Sequence, residues 1–276
     1  AGISEPSSSS SKISSQPDAI DALAARVGAI GELTHQQDAQ TAWGPRAQRP
    51  RDVGSWSSQR VESRTVVVDN NSTDGTREYF DKMGIPIIQQ KRRGTIGAWW
   101  EGFQAATGDI IIPFSPDNNS VPEVIPQLIE KMKEGYDMVI ASRYAKGATS
   151  DDDTTVSSLG NRAITLTVNI LFGAHYTDTL VMYRAFRKDI LDRLGFHANT
   201  GIEFNKRQVT MFEILSSIRC ARYKLKVAEI PGDEPARLDD TGSRVFPNAT
   251  RRFFIGLLIG YHILKERLRP DARSKR

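Results

Sequence analysis

From Thr65 onward, short apolar runs alternate with stretches in which apolar residues recur every three or four positions. The runs predict strands at Thr65 to Val68, Ile85 to Gln89, Asp109 to Phe114 and Asp137 to Ala141. The stretches between them predict helices at Gly75 to Met83, Ile96 to Ala106 and Val121 to Glu134, the last opened by Ser120 and Glu123 as a capping box. Strand, helix, strand in this order is the pattern of βαβ units, so the expected fold is α/β with a mostly parallel sheet. Residues 1–63 differ: a serine run at Ser7 to Ser11 and scattered Arg and Gln carry no apolar period, apart from one amphipathic helix expected at Asp18 to Leu33.

Polar residues fall where three expected strands end: Asp69, then Ser115 with Asp117, then Ser142 with Arg143. Open parallel sheets bind ligands at the carboxyl ends of their strands, so these termini predict one crevice. Composition narrows the setting. Cys220 is the single cysteine, which excludes an internal disulfide and favours a reduced, cytoplasmic location. The 276-residue chain has a net charge of +4, but residues 251–276 hold eight Lys or Arg against Glu266 and Asp271 and more than account for it. The basic character describes a tail and argues against a nucleic-acid-binding face. No apolar run is long enough to span a bilayer, and no export signal is visible at the N-terminus. The four histidines are dispersed and no metal or nucleophile spacing includes them.

The motifs give the crevice its chemistry. Val66-Val67-Val68-Asp69-Asn70-Asn71-Ser72-Thr73-Asp74-Gly75-Thr76 puts a carboxylate at a strand end, before a turn and a helix start. Asp69 is placed to accept hydrogen bonds from a base or ribose; Asp74 equally suits a helix cap and Asn71 a left-handed turn position. This string resembles the V-V-D-D-G-S-x-D-G-T element of family 2 glycosyltransferases, the group that contains the dolichyl-phosphate mannose and glucose synthases. Further segments, in order, carry the resemblance through most of residues 65–245. Lys91 to Ala98, including Gly94, is similar to the family's basic, glycine-containing segment, and Gly108 to Glu123 to the strand that leads into the metal-binding D-x-D. Met138 to Tyr144 is similar to G-S-R-Y, Thr177 to Arg187 to D-x-x-S-G-F-R, and Lys224 to Pro231 to a late strand ending E-x-P.

The resemblance implies a GT-A fold over residues 64–250, with 1–63 an atypical N-terminal segment and 251–276 a basic amphipathic helix and tail. It implies an inverting hexosyltransferase that uses a UDP- or GDP-sugar donor and Mg2+ or Mn2+, with a polyprenyl phosphate as a possible acceptor. Asp69, Asn71, Lys91, Gly94 and Ser115 are the expected nucleotide-sugar residues, and Asp117 with Asn119 the expected metal ligands. Arg143 and Arg184 are the expected phosphate partners, because guanidinium matches phosphate oxygens with paired hydrogen bonds. Asp178 is the expected base if the acceptor is a hydroxyl; an ionised lipid phosphate needs none. Two departures stand out: Ser115 replaces the first metal-motif aspartate, and residues 1–63 lack the family's opening strand and P-x-Y-N-E turn. They support a second reading, a catalytically impaired relative that binds nucleotide sugar. Near the C-terminus, the apolar run Phe253 to Leu264 followed by basic residues suits either an interfacial membrane helix or a helix packed on its own domain.

Overall fold

The apolar runs of the sequence become the strands of two sheets in the computed structural model, which describes residues 64–73, 75–92, 94–114, 119–196, 212–236 and 249–269. The expected Asp18 to Leu33 helix, Asp74, Ser115 and Asp117 lie outside the described residues. In chain order the strands are β1 (Val67–Asp69), β2 (Ile87–Gln89), β3 (Ile110–Ile111), β4 (Met138–Ser142), β5 (Arg184–Arg187) and β6 (Val227–Pro231). The helices are α1 (Thr76–Lys82), α2 (Gly94–Ala105), α3 (Ile125–Lys133), α4 (Thr155–Phe172), α5 (Ile190–Arg193), α6 (Phe212–Arg222) and α7 (Ala249–Leu268).

β1 and β2 pair in parallel, joined by α1 as a βαβ unit. The second sheet has the order β3-β5-β4-β6. β4 and β6 are parallel, and β5 runs antiparallel between β3 and β4. β3, β4 and β6 therefore point the same way, and their direction is that of an α/β sheet with one reversed strand. All five residues of β4 are buried, as a central strand covered on both faces requires. α3 lays Leu128 and Met132 over it, and Trp99, Phe103, Phe186 and Phe212 pack as an aromatic cluster with ring centroids 4.6 to 6.3 Å apart.

The expected strands are found, with β3 shortened to two residues. The capping box at Ser120 is not: a 3-10 turn at Pro122–Val124 precedes α3, and neither carries a side-chain cap hydrogen bond. Pro122 and Pro126 at these starts have no N–H for a cap to satisfy, which removes its benefit. α7 packs against α4 and α6, and the buried Arg219–Glu266 pair, 2.6 Å, joins it to α6. Among the described residues no helix is long and apolar enough to cross a membrane.

The carboxyl ends of β4 and β6 are held close. Gly232 N–H donates to the Ser142 carbonyl at 3.0 Å, and a Cβ at Gly232 would lie 2.6 Å from the Ala141 Cβ and 2.8 Å from its carbonyl carbon. Gly232→Ala is expected to force this backbone apart and to cost about 1–3 kcal/mol of stability, the usual range for overpacking. A urea titration checks this; an unchanged midpoint would show that the contact relaxes freely.

Candidate active site

At the end of β1, Asp69 is 4% exposed and its carboxylate accepts the Ser72 N–H at 3.1 and 3.2 Å. The chain then turns through Asn71, whose φ of 59° is left-handed, an arrangement asparagine tolerates. Gln89 of β2 donates to Asn71 Oδ1 at 2.6 Å, so both expected nucleotide residues stand in one braced turn. Lys91 and Gly94 form a second such place. The Glu101 carboxylate accepts the Lys91 and Arg92 amides at 2.9 to 3.1 Å, which folds this basic segment onto the start of α2 at Gly94. Gly97 makes the fold possible, since a Cβ there would lie 2.2 Å from the Arg92 carbonyl oxygen.

The end of β4 carries the densest charge. Arg143 follows the last β4 residue and grips Asp178 with a two-pronged contact, Nε to Oδ2 at 2.7 Å and Nη2 to Oδ1 at 3.1 Å. Its Nη1 reaches Glu234 at 3.3 Å, with Asp153 at 3.9 Å. Burial works against the charge on Arg143, but Asp178 and Glu234 outweigh it and hold the guanidinium firmly protonated. Asp178 has no exposed surface; burial pushes its carboxyl up, yet the Arg143 guanidinium and the Leu180 amide hold it below the usual carboxylate range. The Leu180 and Val181 amides also donate to its Oδ1, at 3.0 and 3.1 Å. A carboxylate so enclosed and so acidic is suited to positioning Arg143, and poorly suited to taking a proton. Glu229 supports the same turn by accepting the Thr177 and Asp178 amides at 2.8 to 3.1 Å.

Arg184, by contrast, is sealed in the core at 0% exposure. Its Nε donates to the Val181 carbonyl at 2.7 Å and its Nη1 to the Glu213 carbonyl, Ser216 and Ser217 of α6. The expected phosphate contact from Arg184 is not available in this arrangement, because its donors face inward; the residue instead braces the turn that holds Asp178. Asn119 donates to the Pro235 carbonyl at 2.9 Å, which fastens the stretch after β3 beside Glu234. Among the described residues no three His, Cys, Asp or Glu side chains converge as a metal centre, while Ser115 and Asp117 fall outside them.

A cavity of about 510 Å3 opens beside Arg143, lined also by Tyr144, Ser150, Asp153, Ser158, Leu159 and Arg162. The Tyr144 ring centroid lies 5.2 Å from the Arg143 guanidinium and 4.8 Å from that of Arg162. Burial foremost, partly opposed by Arg143, pushes the Tyr144 hydroxyl up to about 12, so it stays neutral while donating to Asp153 and accepting from Asn161. Arg162 is the residue the motif reading missed. The signal was present: it is the only charged residue in the 18 of α4.

A family model, glycosyl transferase family 2, matches residues 58–195, half of the chain. Among curated relatives, a dolichol-phosphate mannosyltransferase of Pyrococcus furiosus is 30% identical over 63% of this chain and 48% of its own length. A dolichyl-phosphate hexose transferase of Haloferax volcanii is 29% identical over 79% of this chain and 88% of its own. The chain therefore spans about half of the first relative and most of the second. Among solved structures, glucosyl-3-phosphoglycerate synthase from Mycobacterium tuberculosis aligns with a TM-score of 0.54 at 17% identity, over 76% of this chain and 71% of that one. Its complex with Mn2+, UDP-glucose and phosphoglyceric acid aligns at 0.52 with 19% identity, over 75% and 69%. These likenesses establish the GT-A fold.

Removing the Asp178 charge leaves Arg143 partly unpaired in a buried place. Asp178→Asn is expected to cost about 3–5 kcal/mol near neutral pH, as for other broken buried pairs. Because the folded carboxyl is more acidic than the free one, this contribution is complete above roughly pH 4 and fades as pH falls through the lower folded value. The gap between the urea midpoints of the two forms should therefore narrow from pH 7 toward pH 2; a constant gap would contradict the pairing.

Proposed function

Because the chain belongs to glycosyl transferase family 2, we propose that it moves a hexose from a nucleoside-diphosphate sugar, UDP- or GDP-linked, to a polyprenyl phosphate, with inversion at the sugar carbon. The observation that carries this reading is Arg143, locked by Asp178 at the carboxyl end of β4 and sharing a cavity with Arg162. Two guanidiniums around one cavity, one fixed and one on the exposed face of α4, match a phosphate that arrives from outside. The names of the curated relatives, transferases that act on dolichyl or undecaprenyl phosphate, support the same acceptor class.

The chemistry follows from the acceptor's charge. A lipid phosphate is already ionised, so its oxygen can attack the sugar carbon directly: the new C–O bond forms as the bond to the nucleoside diphosphate breaks, and no protein base is required. That agrees with an Asp178 too enclosed and too acidic to act as one. In this reading Asp69, Asn71, Lys91, Gly94 and Ser115 bind the donor, with Asp69 at the base or ribose. Arg143 and Arg162 hold the acceptor phosphate against its repulsion from the donor. Asp117 and Asn119, oxygen-bearing side chains of the kind hard cations choose, would hold Mg2+ or Mn2+, which when bound neutralises charge on the leaving diphosphate. Outward apolar residues on α7 supply a peripheral contact with the cytoplasmic face of a membrane.

Two substitutions separate donor from acceptor. Arg162→Met is expected to weaken binding of a short-chain prenyl phosphate about tenfold, roughly 1.4 kcal/mol, with UDP- or GDP-sugar affinity unchanged. Asp69→Ala should do the reverse by a similar factor. Calorimetry with each ligand in turn reads both. Equal losses for both ligands, or no acceptor loss in a folded Arg162→Met protein, would overturn the assignment.

A further inference from the structure

Arg143 is shared among three carboxylates, and they hold it unequally. Asp178 takes Nε and Nη2 at 2.7 and 3.1 Å, has no exposed surface and is itself held by two backbone amides. Glu234 takes Nη1 alone, at 3.3 Å, beyond the roughly 2.7 to 2.9 Å usual for a hydrogen bond between two charged groups, and Asp153 stands off at 3.9 Å. The Glu234 carboxylate accepts one further bond, from the Ser150 hydroxyl at 2.7 Å. Burial pushes the Glu234 carboxyl up, against the pull of Arg143 and Ser150, whereas the Asp178 carboxyl is held low. Of the two carboxylates bonded to Arg143, Glu234 is the one whose charge is poorly compensated. Its backbone, by contrast, is pinned. Glu234 N–H donates to the Thr149 carbonyl and Asp151 N–H to the Glu234 carbonyl, both at 2.9 Å, while Asn119 donates to the next carbonyl, that of Pro235. The carboxylate is therefore a movable group on a fixed strap. Ser150 and Asp153, the neighbours of Glu234 and Nη1, line the cavity, which places Nη1 on the cavity side of Arg143.

We propose that Glu234 is a built-in stand-in for the ligand phosphate: it takes the cavity-side prong of Arg143, and an incoming phosphate binds there by displacing it. Charge makes the displacement necessary. With the carboxylates that Arg143 reaches, the two arginines of the cavity wall stand against three anions, Asp153, Asp178 and Glu234. A phosphate added to that set is repelled unless one anion withdraws. Asp178 is enclosed and doubly bonded, and Asp153 accepts the Tyr144 hydroxyl. Glu234 can withdraw by turning its side chain outward while the strap stays in place. A phosphate oxygen then takes Nη1, since guanidinium pairs with phosphate as well as with carboxylate. The consequence is a threshold. Free phosphate must displace Glu234 with its headgroup alone, whereas a ligand with an apolar tail draws also on contacts such as Leu159 at the cavity wall. The inference deepens the lipid-phosphate reading of this cavity and rests on it.

The test is calorimetric titration of the full chain with inorganic phosphate and with a short-chain prenyl phosphate, for wild type and for Glu234→Gln, which keeps the size of the side chain and an acceptor for Ser150 but removes the charge. Glu234→Gln is expected to bind both ligands about tenfold more tightly, the scale of one hydrogen bond to a charged group. A merely structural Glu234 predicts the opposite sign, since loosening the strap weakens binding. Adding Arg162→Met to Glu234→Gln should cancel the gain, which assigns it to this cavity rather than to the place of the donor diphosphate. Glu234→Asp, whose carboxylate is withdrawn by one methylene, should show a smaller gain of the same sign, and it carries the test should Glu234→Gln fail to fold. Unchanged or weakened binding by the folded variants would overturn the proposal, as would a gain that Arg162→Met leaves intact. The lipid-phosphate reading fails separately: Arg162→Met without effect on prenyl phosphate binding removes that reading, whereas binding that Arg162→Met weakens and Glu234→Gln does not raise removes the stand-in alone.

Discussion

A guanidinium held in place by a buried carboxylate is the constraint around which the rest of the site is arranged. Arg143 leaves the end of β4 and Asp178 meets it with both oxygens. Neither charge is tolerable at this depth alone, because desolvation of an ion costs more than an isolated contact returns. The pair is supported on both sides, by the Leu180 and Val181 amides on Asp178 and by Glu234 on the far prong of Arg143. Behind these stands Arg184, which holds the Val181 carbonyl from below and is itself held by α6. A line of hydrogen bonds thus runs from the α6 core to the cavity wall, and the position of Arg143 is set by packing rather than by loop chance.

That line bears on what Asp178 can do. A general base must lose and regain a proton near working pH, and it must reach the acceptor. Asp178 does neither, being enclosed and held ionised. Tyr144, with its hydroxyl pushed up to about 12 and shared between Asp153 and Asn161, offers no base either. What lines the cavity is two guanidiniums, Arg143 held by Asp178 and Glu234 and Arg162 on a helix surface, with the Asp153 carboxylate beside them. The enclosed Asp178 carboxylate fixes the place of Arg143 at this wall.

Much of this was legible in the sequence, and the losses have physical causes. Short apolar runs located β1, β2 and β4, and recurrence every three or four positions located α1 to α3, whether the element is buried, as β4 is, or lies at the surface, as α1 does. Asp69 and Arg143 were legible as polar residues that end buried strands. β5 escaped as a strand because its register sets Arg184 in the core, where a charged side chain reads as surface until its partners on α6 are known. Arg184 was misread as a phosphate ligand for the same reason: motif position gives a residue's place in the chain but not the direction of its side chain. Arg162 was overlooked because no motif contained it, although an isolated charge in an otherwise uncharged helix is itself an anomaly.

α4 shows how far periodicity can go and where it stops. Its apolar residues do recur at helical spacing, and Thr154 and Gly173 cap its two ends, the threonine by accepting the Ser157 amide at 3.2 Å and the glycine through a left-handed φ of 65°. The pattern therefore specifies a helix but leaves open which side faces the core. The structure resolves this through hydrogen bonding: Thr165 and Asn169 have partners only on the protein side, in Thr179 and Tyr176, and burying the apolar stripe instead would leave those polar groups to be satisfied elsewhere. With the polar face committed inward, the apolar face has nowhere to go but out. The exposed stripe is then the consequence of a satisfied interior, and the cavity that opens beside it inherits an apolar border at Leu159.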